Sequence, residues 1–355
     1  MKKVIVASVA ALIIASSSAY SFPSIPKFGK KNAEAKQAEL AARRTPEGFD
    51  PVVIPSPNTR GRIKKTPAPD VIGDTRKFTS VTKISVPMYT ISFDKKAGES
   101  ASASSFSGDV NAHAHVHAKL AGVDEDTFAR ITNQAYTDFE VKLTAAGYDL
   151  VDLKALNNTA AYATWQGDKF PKVKKKWSKY LPDGMRYPGK ITYGLKWGKL
   201  MNETQAAIIQ PDLAVNFAAF GTETGTHVNF NKSKASASVS MGPSVHVIGT
   251  ANGTTLNKCD KRGQCFGDMI ALRLGQATYS EKPFGSILDT THTAVKVTQG
   301  ALKVLGALSG SSTSRTDAEK TLTADAKAYE AAALDALFQA NSRIVNKLKA
   351  ADKVK

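Results

Sequence analysis

A change of hydrophobic period between residues 111 and 147 constrains this chain more than any other feature. Residues 111–120 (NAHAHVHAKL) alternate strictly between small or apolar and polar side chains, which is the period of two of a half-buried β-strand. From Asp124 onward the apolar positions recur every three or four residues, which is the period of an α-helix. A chain that makes this change packs a helix beside a strand, and the sequence therefore predicts an α/β protein.

Local signals predict where that helix begins and ends. Asp124 is a suitable N-cap, and the acidic residues after it stabilise the positive end of the helix dipole. Gly147 suits the left-handed position that ends a helix. The apolar stripe between them predicts the buried face: Phe128, Ile131, Ala135, Phe139 and Leu143.

Shorter patterns predict the remaining elements. Pro87 predicts an edge position or a bulge in the strand that contains it, because proline cannot donate to a ladder. Asn252-Gly253 predicts a hairpin turn, because both residues accept positive φ. Strands are expected over 81–94, 206–220, 225–231, 234–250 and 266–280, a Ser/Ala/Gly-rich loop over 95–108, and helices over 152–165, 293–308 and 323–349. This order predicts a single α/β (α+β) domain over 81–350, with helices on one face of a mixed β-sheet and a long C-terminal helix.

The N-terminus predicts export from the cytoplasm. Lys2 and Lys3 precede an apolar stretch over 4–15 and a small-residue stretch that ends at Ser21. This pattern is typical of a cleaved signal peptide over 1–21, and a transmembrane anchor is the alternative. Residues 22–80 are rich in proline and basic residues, which predicts a largely disordered tether. The expected location is the periplasm, including a peripheral position at the outer membrane.

The two cysteines, Cys259 and Cys265, lie six residues apart around a glycine. In an oxidising compartment a pair across so short a loop predicts a local disulfide. The spacing differs from the Cys-x-x-Cys of redox sites and zinc ribbons, so a structural role is expected.

The formal net charge of +17 predicts an anionic partner or, as the alternative, simple colloidal solubility. Outside the cytoplasm that partner is not nucleic acid. Lipid head groups, cell-wall polymers and acidic surfaces of envelope proteins remain, and a second copy of this chain is a further candidate partner.

A basic and aromatic insertion over 170–199 is the candidate surface for such a partner, and a merely solvated loop is the alternative. Cations mixed with aromatic side chains are typical of loops that bind anionic polymers or membrane interfaces. The candidate residues are Lys172, Lys174, Lys175, Lys176, Trp177, Lys179 and Tyr180.

Three histidines on the predicted strand over 111–120 form a candidate metal site. Residues two apart on a strand project from one face, so His113, His115 and His117 would align their imidazoles. Neutral imidazole suits Zn²⁺ and Cu²⁺, although no further ligand follows at a recognised spacing. An exposed polar strand face is the alternative, and no cofactor is then expected.

A family resemblance rests on residues 139–151 (FEVKLTAAGYDLV), the strand at 211–216 (PDLAVN), a β-hairpin and an Ala-rich terminal helix. In this order of elements the chain resembles the α/β domain of envelope proteins such as CsgG and the N-terminal domain of TolB. The resemblance implies a periplasmic or outer-membrane-associated binding and assembly module, with no functional residue carried over. It departs from CsgG in lacking a lipidated cysteine and clear pore-forming hairpins.

The sequence contains no Gly-x-Ser-x-Gly, P-loop or dinucleotide fingerprint. The leading hypothesis is therefore a non-enzymatic envelope protein that binds or assembles with other envelope components. The alternatives are a metal carrier or metalloenzyme centred on the histidines, and a binder of anionic cell-wall or lipid polymers.

Overall fold

The computed structural model describes residues 71–72, 78, 80–104, 110–189, 193–229, 232–256, 258–259, 265–289 and 312–352. The predicted signal peptide, the tether up to residue 70 and the predicted helix over 293–308 lie outside the described residues.

The described residues form β-strands in two main sheets together with α-helices. The strands are β1 (Val71–Ile72), β2 (Lys83–Ser85), β3 (Thr90–Asp94), β4 (Lys96–Ser104), β5 (Val110–Ala121), β6 (Asp149–Val151), β7 (Lys172–Val173), β8 (Trp177–Tyr180), β9 (Ala207–Asn229), β10 (Lys232–Thr254), β11 (Lys258–Cys259), β12 (Cys265–Phe266), β13 (Met269–Arg273), β14 (Thr278–Tyr279), β15 (Gly285–Asp289) and β16 (Ser312–Ala324). The helices are α1 (Glu125–Ala145), α2 (Leu153–Asn157), α3 (Ala160–Ala163), α4 (Tyr193–Thr204) and α5 (Ala326–Asp352).

The larger sheet has ten strands and is mixed, as predicted. Its main path runs β1-β13-β10-β9-β3-β8-β7, while β14 pairs with β10, and β2 pairs with both β6 and β9. β9 is parallel to β2 and β3 but antiparallel to β10. The sheet takes in β1, and Phe78 is fully buried, so the folded region reaches upstream of residue 81.

The smaller sheet has four strands in the order β15-β16-β5-β4. β5 and β16 are parallel, whereas β4 is antiparallel to β5. One face of this sheet packs against β10, through buried small side chains such as Ala103, Ala114 and Val116. The other face carries polar side chains and is the face on which the candidate site lies.

Two long helices, α1 and α5, pack on each other and cover the core of the larger sheet. Phe93 of β3 stacks on Phe128 of α1 at 4.5 Å between ring centroids, and Tyr329 of α5 meets Phe128 edge-on. A second apolar cluster, which includes Trp165, Trp197 and Ile208, joins α3 and α4 to β9. The fold class is thus the predicted α/β class, with a long C-terminal helix. None of the helices described is long and apolar enough to cross a membrane.

The predicted helix after the histidine strand is confirmed as α1. The Asp124 carboxylate accepts a hydrogen bond from the Thr127 backbone N–H at 2.8 Å, which satisfies one of the orphan donors of the first turn. Gly147 has φ of +97°, and the five predicted stripe residues are all buried.

Two predictions about turns and loops are wrong. Residues 96–104, predicted as a loop, form β4, because pairing with β5 stabilises a sequence of low intrinsic strand preference. Asn252-Gly253 is not a turn but part of β10, where Gly253 lies opposite Ile209 and Ile270. A Cβ on Gly253 would lie 2.9 Å from both Ile270 Cγ1 and Phe78 Cε2, so close packing accounts for the glycine.

Three other elements also differ from the sequence prediction. The strand over 81–94 is divided at Pro87 into β2 and β3, and neither lies at a sheet edge. The helix over 152–165 is two short helices, since Thr159 caps α3 through the Tyr162 backbone N–H. β16 was not predicted, and it occupies residues just before α5.

The backbone places the two cysteines opposite each other. Cys259 of β11 and Cys265 of β12 are register partners in a two-stranded antiparallel pair. Opposite residues in such a pair have Cα atoms about 4.5–5.5 Å apart, which lies within the range that disulfides span. The Cys259–Cys265 disulfide stays a prediction.

Candidate functional site

A groove of about 550 Å³ lies on the polar face of the four-stranded sheet. Three strands and the turn before β8 contribute to it, so residues far apart in sequence meet here. Its lining consists of Lys96, Ala97, Gly98, His115, His117, Ala118, Lys119, Lys176, Glu319, Lys320 and Thr321. We call it the cationic groove.

The alternation of β5 supplies the centre of the cationic groove. Ala114, Val116 and Ala118 face the interior and are buried, whereas His117 and Lys119 face outward and are exposed. The rings of His115 and His117 lie 4.1 Å apart between centroids in an edge-on arrangement. The inward-facing apolar side chains thus pack β5 against the core, and outward-facing polar side chains line the groove.

Gly98 of β4 packs closely against these two rings. It is the register partner of His117, and a Cβ there would lie 3.2 Å from His117 Nδ1 and 3.9 Å from His115 Nε2. The same Cβ would approach the Val116 carbonyl oxygen to 3.1 Å. A ring nitrogen of each histidine therefore lies close to Gly98 at the floor of the groove.

Two lysines lie beside each other on neighbouring strands of the groove. Lys96 of β4 is the register partner of Lys119 of β5. Like charges opposite each other destabilise a strand pair by an amount on the order of 0.2–1 kcal/mol. An anion between the two ammonium groups would remove this repulsion.

Lys176 is held at the groove by its backbone. Its carbonyl oxygen accepts hydrogen bonds from the Lys95 and Lys96 backbone N–H groups at 2.8 and 3.0 Å. The turn that carries Lys176 is therefore tied to the start of β4, and Lys176 itself is exposed.

Glu125, the first residue of α1, fixes the neighbouring segments. Its carboxylate accepts hydrogen bonds from Lys95 Nζ at 2.8 Å, Ser178 Oγ at 3.1 Å and Tyr180 Oη at 2.6 Å. Burial raises the pKa of Glu125, but these hydrogen bonds outweigh burial and leave the pKa below its usual value. The ionised carboxylate thus joins α1 to β8 and to the residue before β4.

The charge of the cationic groove favours an anion over a metal ion. The side chains of three lysines and one glutamate face it, since Lys320 pairs with the inward-facing Ala118, and this leaves an excess of two positive charges when the histidines are neutral. At about 4 Å, two unit charges interact by roughly 4 kcal/mol at the effective dielectric constant near a protein surface, so this excess opposes a divalent cation. Across the described residues, no group of three or more His, Cys, Asp and Glu side chains is placed to hold a metal ion.

The candidate histidines divide into two sets. His115 and His117 line the cationic groove, whereas His113 is exposed beyond its lining. His113 lies opposite Arg315 of β16 and Ser102 of β4 in the register of the sheet.

The candidate residues of the basic insertion also divide. Lys172 pairs with Asp168 and lies over the Phe170 and Tyr187 rings, while Lys179 pairs with Asp212 at 2.8 Å. Tyr180 is buried, and Trp177 is half-buried opposite Asp94. Lys174 and Lys175 are exposed, and only Lys176 reaches the groove.

Five further polar residues of the groove lining were not predicted: Lys96, Lys119, Glu319, Lys320 and Thr321. Lys119 continues the outward face two residues beyond His117, so the same alternation was sufficient to find it. The others lie on β4 and β16, which the sequence did not reveal as strands.

Comparison with known proteins gives no relative from which to transfer a role. Neither a protein-family model, a curated protein nor a solved structure matches this chain.

Proposed function

We propose that this chain is a non-enzymatic binding and assembly protein of the bacterial cell envelope, periplasmic or peripheral at the outer membrane. Its ligand is an anionic component of the envelope, bound in the cationic groove. The observation that carries this proposal is the convergence of Lys96, Lys119 and Lys176, from three separate segments, on one groove. The expected signal peptide and the resemblance to the CsgG and TolB domains support the location.

Repulsion between the lysines supports a binding role rather than a purely solubilising one. Charges that only maintain solubility are better dispersed, because clustering them costs stability. Here two lysines are register partners and a third is tied to the same strand by two hydrogen bonds. An anionic ligand offsets that repulsion.

Sedimentation with isolated envelopes tests the proposal. We expect the full chain to sediment with envelope material in a salt-sensitive manner, because added salt screens exposed charges. Lys96→Glu, Lys119→Glu and Lys176→Glu together should reduce binding by about tenfold or more.

A matched variant separates the groove from overall charge. Lys154, Lys327 and Lys349 are exposed, and none of them lines the groove. Their joint replacement by Glu changes the net charge equally and should leave most of the binding intact. Equal loss in both triple variants would contradict a dedicated groove.

Binding of Zn²⁺ or Cu²⁺ is a second candidate function, favoured by the two ring nitrogens beside Gly98. Imidazole nitrogen is a usual ligand of both metals. This candidate predicts stoichiometric metal in the purified full chain by mass spectrometry of the elements. The metal should be lost in His115→Ala with His117→Ala but retained in His113→Ala, and a metal-free protein that takes up neither ion would exclude the candidate.

A further inference from the structure

We infer that the ligand of the cationic groove is a phosphate ester dianion, carried by a lipid head group or by a soluble phosphorylated compound. This inference rests on the proposed function and specifies its ligand class. Four properties of the groove support it: its charge, the type of its cations, its size and the polar atoms of its floor.

Charge favours a multivalent anion. The side chains that face the groove have an excess of two positive charges with neutral histidines. A phosphate monoester carries nearly two negative charges at neutral pH, since its second pKa is about 6. A single carboxylate carries one negative charge and would neutralise only part of this excess.

The type of cation favours phosphate over planar carboxylate. Three lysine side chains face the groove, those of Lys96, Lys119 and Lys176, and its lining contains no arginine. Arginine presents a planar fork that matches a carboxylate, whereas a lysine ammonium is a compact point charge with three donors. Ammonium groups from several sides suit the tetrahedral oxygens of phosphate.

Size indicates that the ligand has an organic part. A volume of about 550 Å³ lies within the usual range for small-molecule sites of roughly 300–1,000 Å³. A bare phosphate ion would occupy only a small part of it. The remaining volume leaves room for a glycerol or sugar beside the phosphate.

The floor of the groove provides neutral hydrogen-bonding groups. His117 Nδ1 and His115 Nε2 both lie close to Gly98 at this floor. Each imidazole offers one donor nitrogen when neutral, and which nitrogen carries the proton depends on the bound ligand. Phosphate oxygens accept such donors in addition to the lysines.

Calorimetric titration with two dianions of equal formal charge tests the inference. Glycerol 3-phosphate and succinate are titrated separately into the full chain near neutral pH. We expect glycerol 3-phosphate to bind at least about tenfold more tightly, since charge-assisted hydrogen bonds to the extra oxygens add about 1.5 kcal/mol or more. Lys96→Gln with Lys119→Gln should abolish this binding, whereas Lys154→Gln should leave it unchanged.

Gly98→Ala provides a second variant that keeps every charge. Its Cβ would lie 3.2 Å from His117 Nδ1, so we expect weaker binding of glycerol 3-phosphate with little effect on succinate. Thermal unfolding of each variant shows that it is folded before it is titrated.

Vesicles distinguish the two sources of phosphate. Binding to phosphatidylcholine vesicles that contain phosphatidic acid, but not to phosphatidylcholine alone, supports a lipid head group. Binding of glycerol 3-phosphate without vesicle binding supports a soluble ester. Equal affinity for succinate and glycerol 3-phosphate overturns the inference but leaves the proposed function standing. Binding to envelopes without binding of glycerol 3-phosphate has the same meaning. If the unaltered full chain does not sediment with envelope material in a salt-sensitive manner, the proposed function itself is overturned.

Discussion

The half-buried Asp94 and the buried His246 make opposite contributions to the pH dependence of folding. Asp94 ends β3, and burial raises its pKa to about 6. His246 of β10 lies 5.8 Å from the Tyr279 ring between centroids, and burial lowers its pKa to about 4. In both cases the native environment disfavours the charged form, because desolvation is the dominant cause.

Replacing Asp94 by Asn should stabilise the protein at neutral pH. The unfolded carboxyl ionises near pH 4, but the folded one keeps its proton up to about pH 6, so stability falls as the pH rises through this interval. We expect Asp94→Asn to increase the free energy of unfolding by about 1–3 kcal/mol at neutral pH and to have little effect below pH ~4. Urea unfolding at both pH values measures this, and a gain that persists at low pH would contradict the assigned cause.

For His246 we expect the opposite dependence of stability on pH. An unfolded histidine binds a proton below pH ~6.5, whereas the folded one does so only near pH 4, so stability falls as the pH drops. The loss should reach about 3 kcal/mol at the acid end of this interval. In His246→Phe the acid slope should be smaller, as measured by urea unfolding across the same pH range. An unchanged slope would show that other groups cause the acid sensitivity.

At the scale of single elements, Asn341 attaches α5 to its neighbours. This fully buried side chain accepts a hydrogen bond from Tyr89 Oη at 3.0 Å and donates to the Ala135 carbonyl at 2.8 Å and to Asp138 Oδ2 at 2.9 Å. It thereby joins α5 both to α1 and to the segment before β3.

Removal of that amide should destabilise the fold strongly. Asn341→Ala leaves the Tyr89 hydroxyl without its acceptor in the core, and we expect a loss of about 2–3 kcal/mol in the free energy of unfolding. Asn346→Ala is the matched control, because Asn346 is exposed on the same helix and should change stability by less than about 0.5 kcal/mol. Equal effects of the two substitutions would contradict the network.

The position of Asn252-Gly253 within β10 gives a test of the strand. Asn252 is exposed between Gln210 and Ala271 of the two neighbouring strands. Thr favours strands, so Asn252→Thr should be neutral or stabilising by up to about 1 kcal/mol. In a hairpin turn with positive φ the same substitution would be destabilising. Thermal unfolding of Asn252→Thr therefore distinguishes the strand from the turn.

For the whole molecule, the cationic groove predicts a conflict between stability and binding. Removing one lysine of the register pair removes a like-charge repulsion, so Lys119→Gln should stabilise the free protein by about 0.2–1 kcal/mol. The same substitution should weaken binding to envelope material.

Unfolding in low salt and sedimentation measure the two effects on one preparation. Lys154→Gln, which lies outside the groove, should change neither. Destabilisation of the free protein by Lys119→Gln would show that the lysine has a structural partner rather than an unfavourable neighbour.

The sequence alone determined the elements whose signals are local. The capping carboxylate of Asp124, the stripe from Phe128 to Leu143 and Gly147 predict α1, because a helix forms its hydrogen bonds within its own segment. The strict alternation of 111–120 predicts β5 and which of its side chains face outward. The two histidines of the candidate site, His115 and His117, were therefore accessible from the sequence.

Only the tertiary structure decided what meets those histidines. β4 and β16 have weak strand preference, and β16 reaches β5 from nearly two hundred residues away along the chain through parallel pairing. Such pairings depend on contacts between distant segments, which no local period encodes. The backbone bonds from Lys95 and Lys96 to Lys176 then bring the basic insertion to the histidine strand. Two candidate sites that are separate in the sequence thus become one groove, because the alternation fixes only the direction of a side chain and the sheet fixes its neighbours.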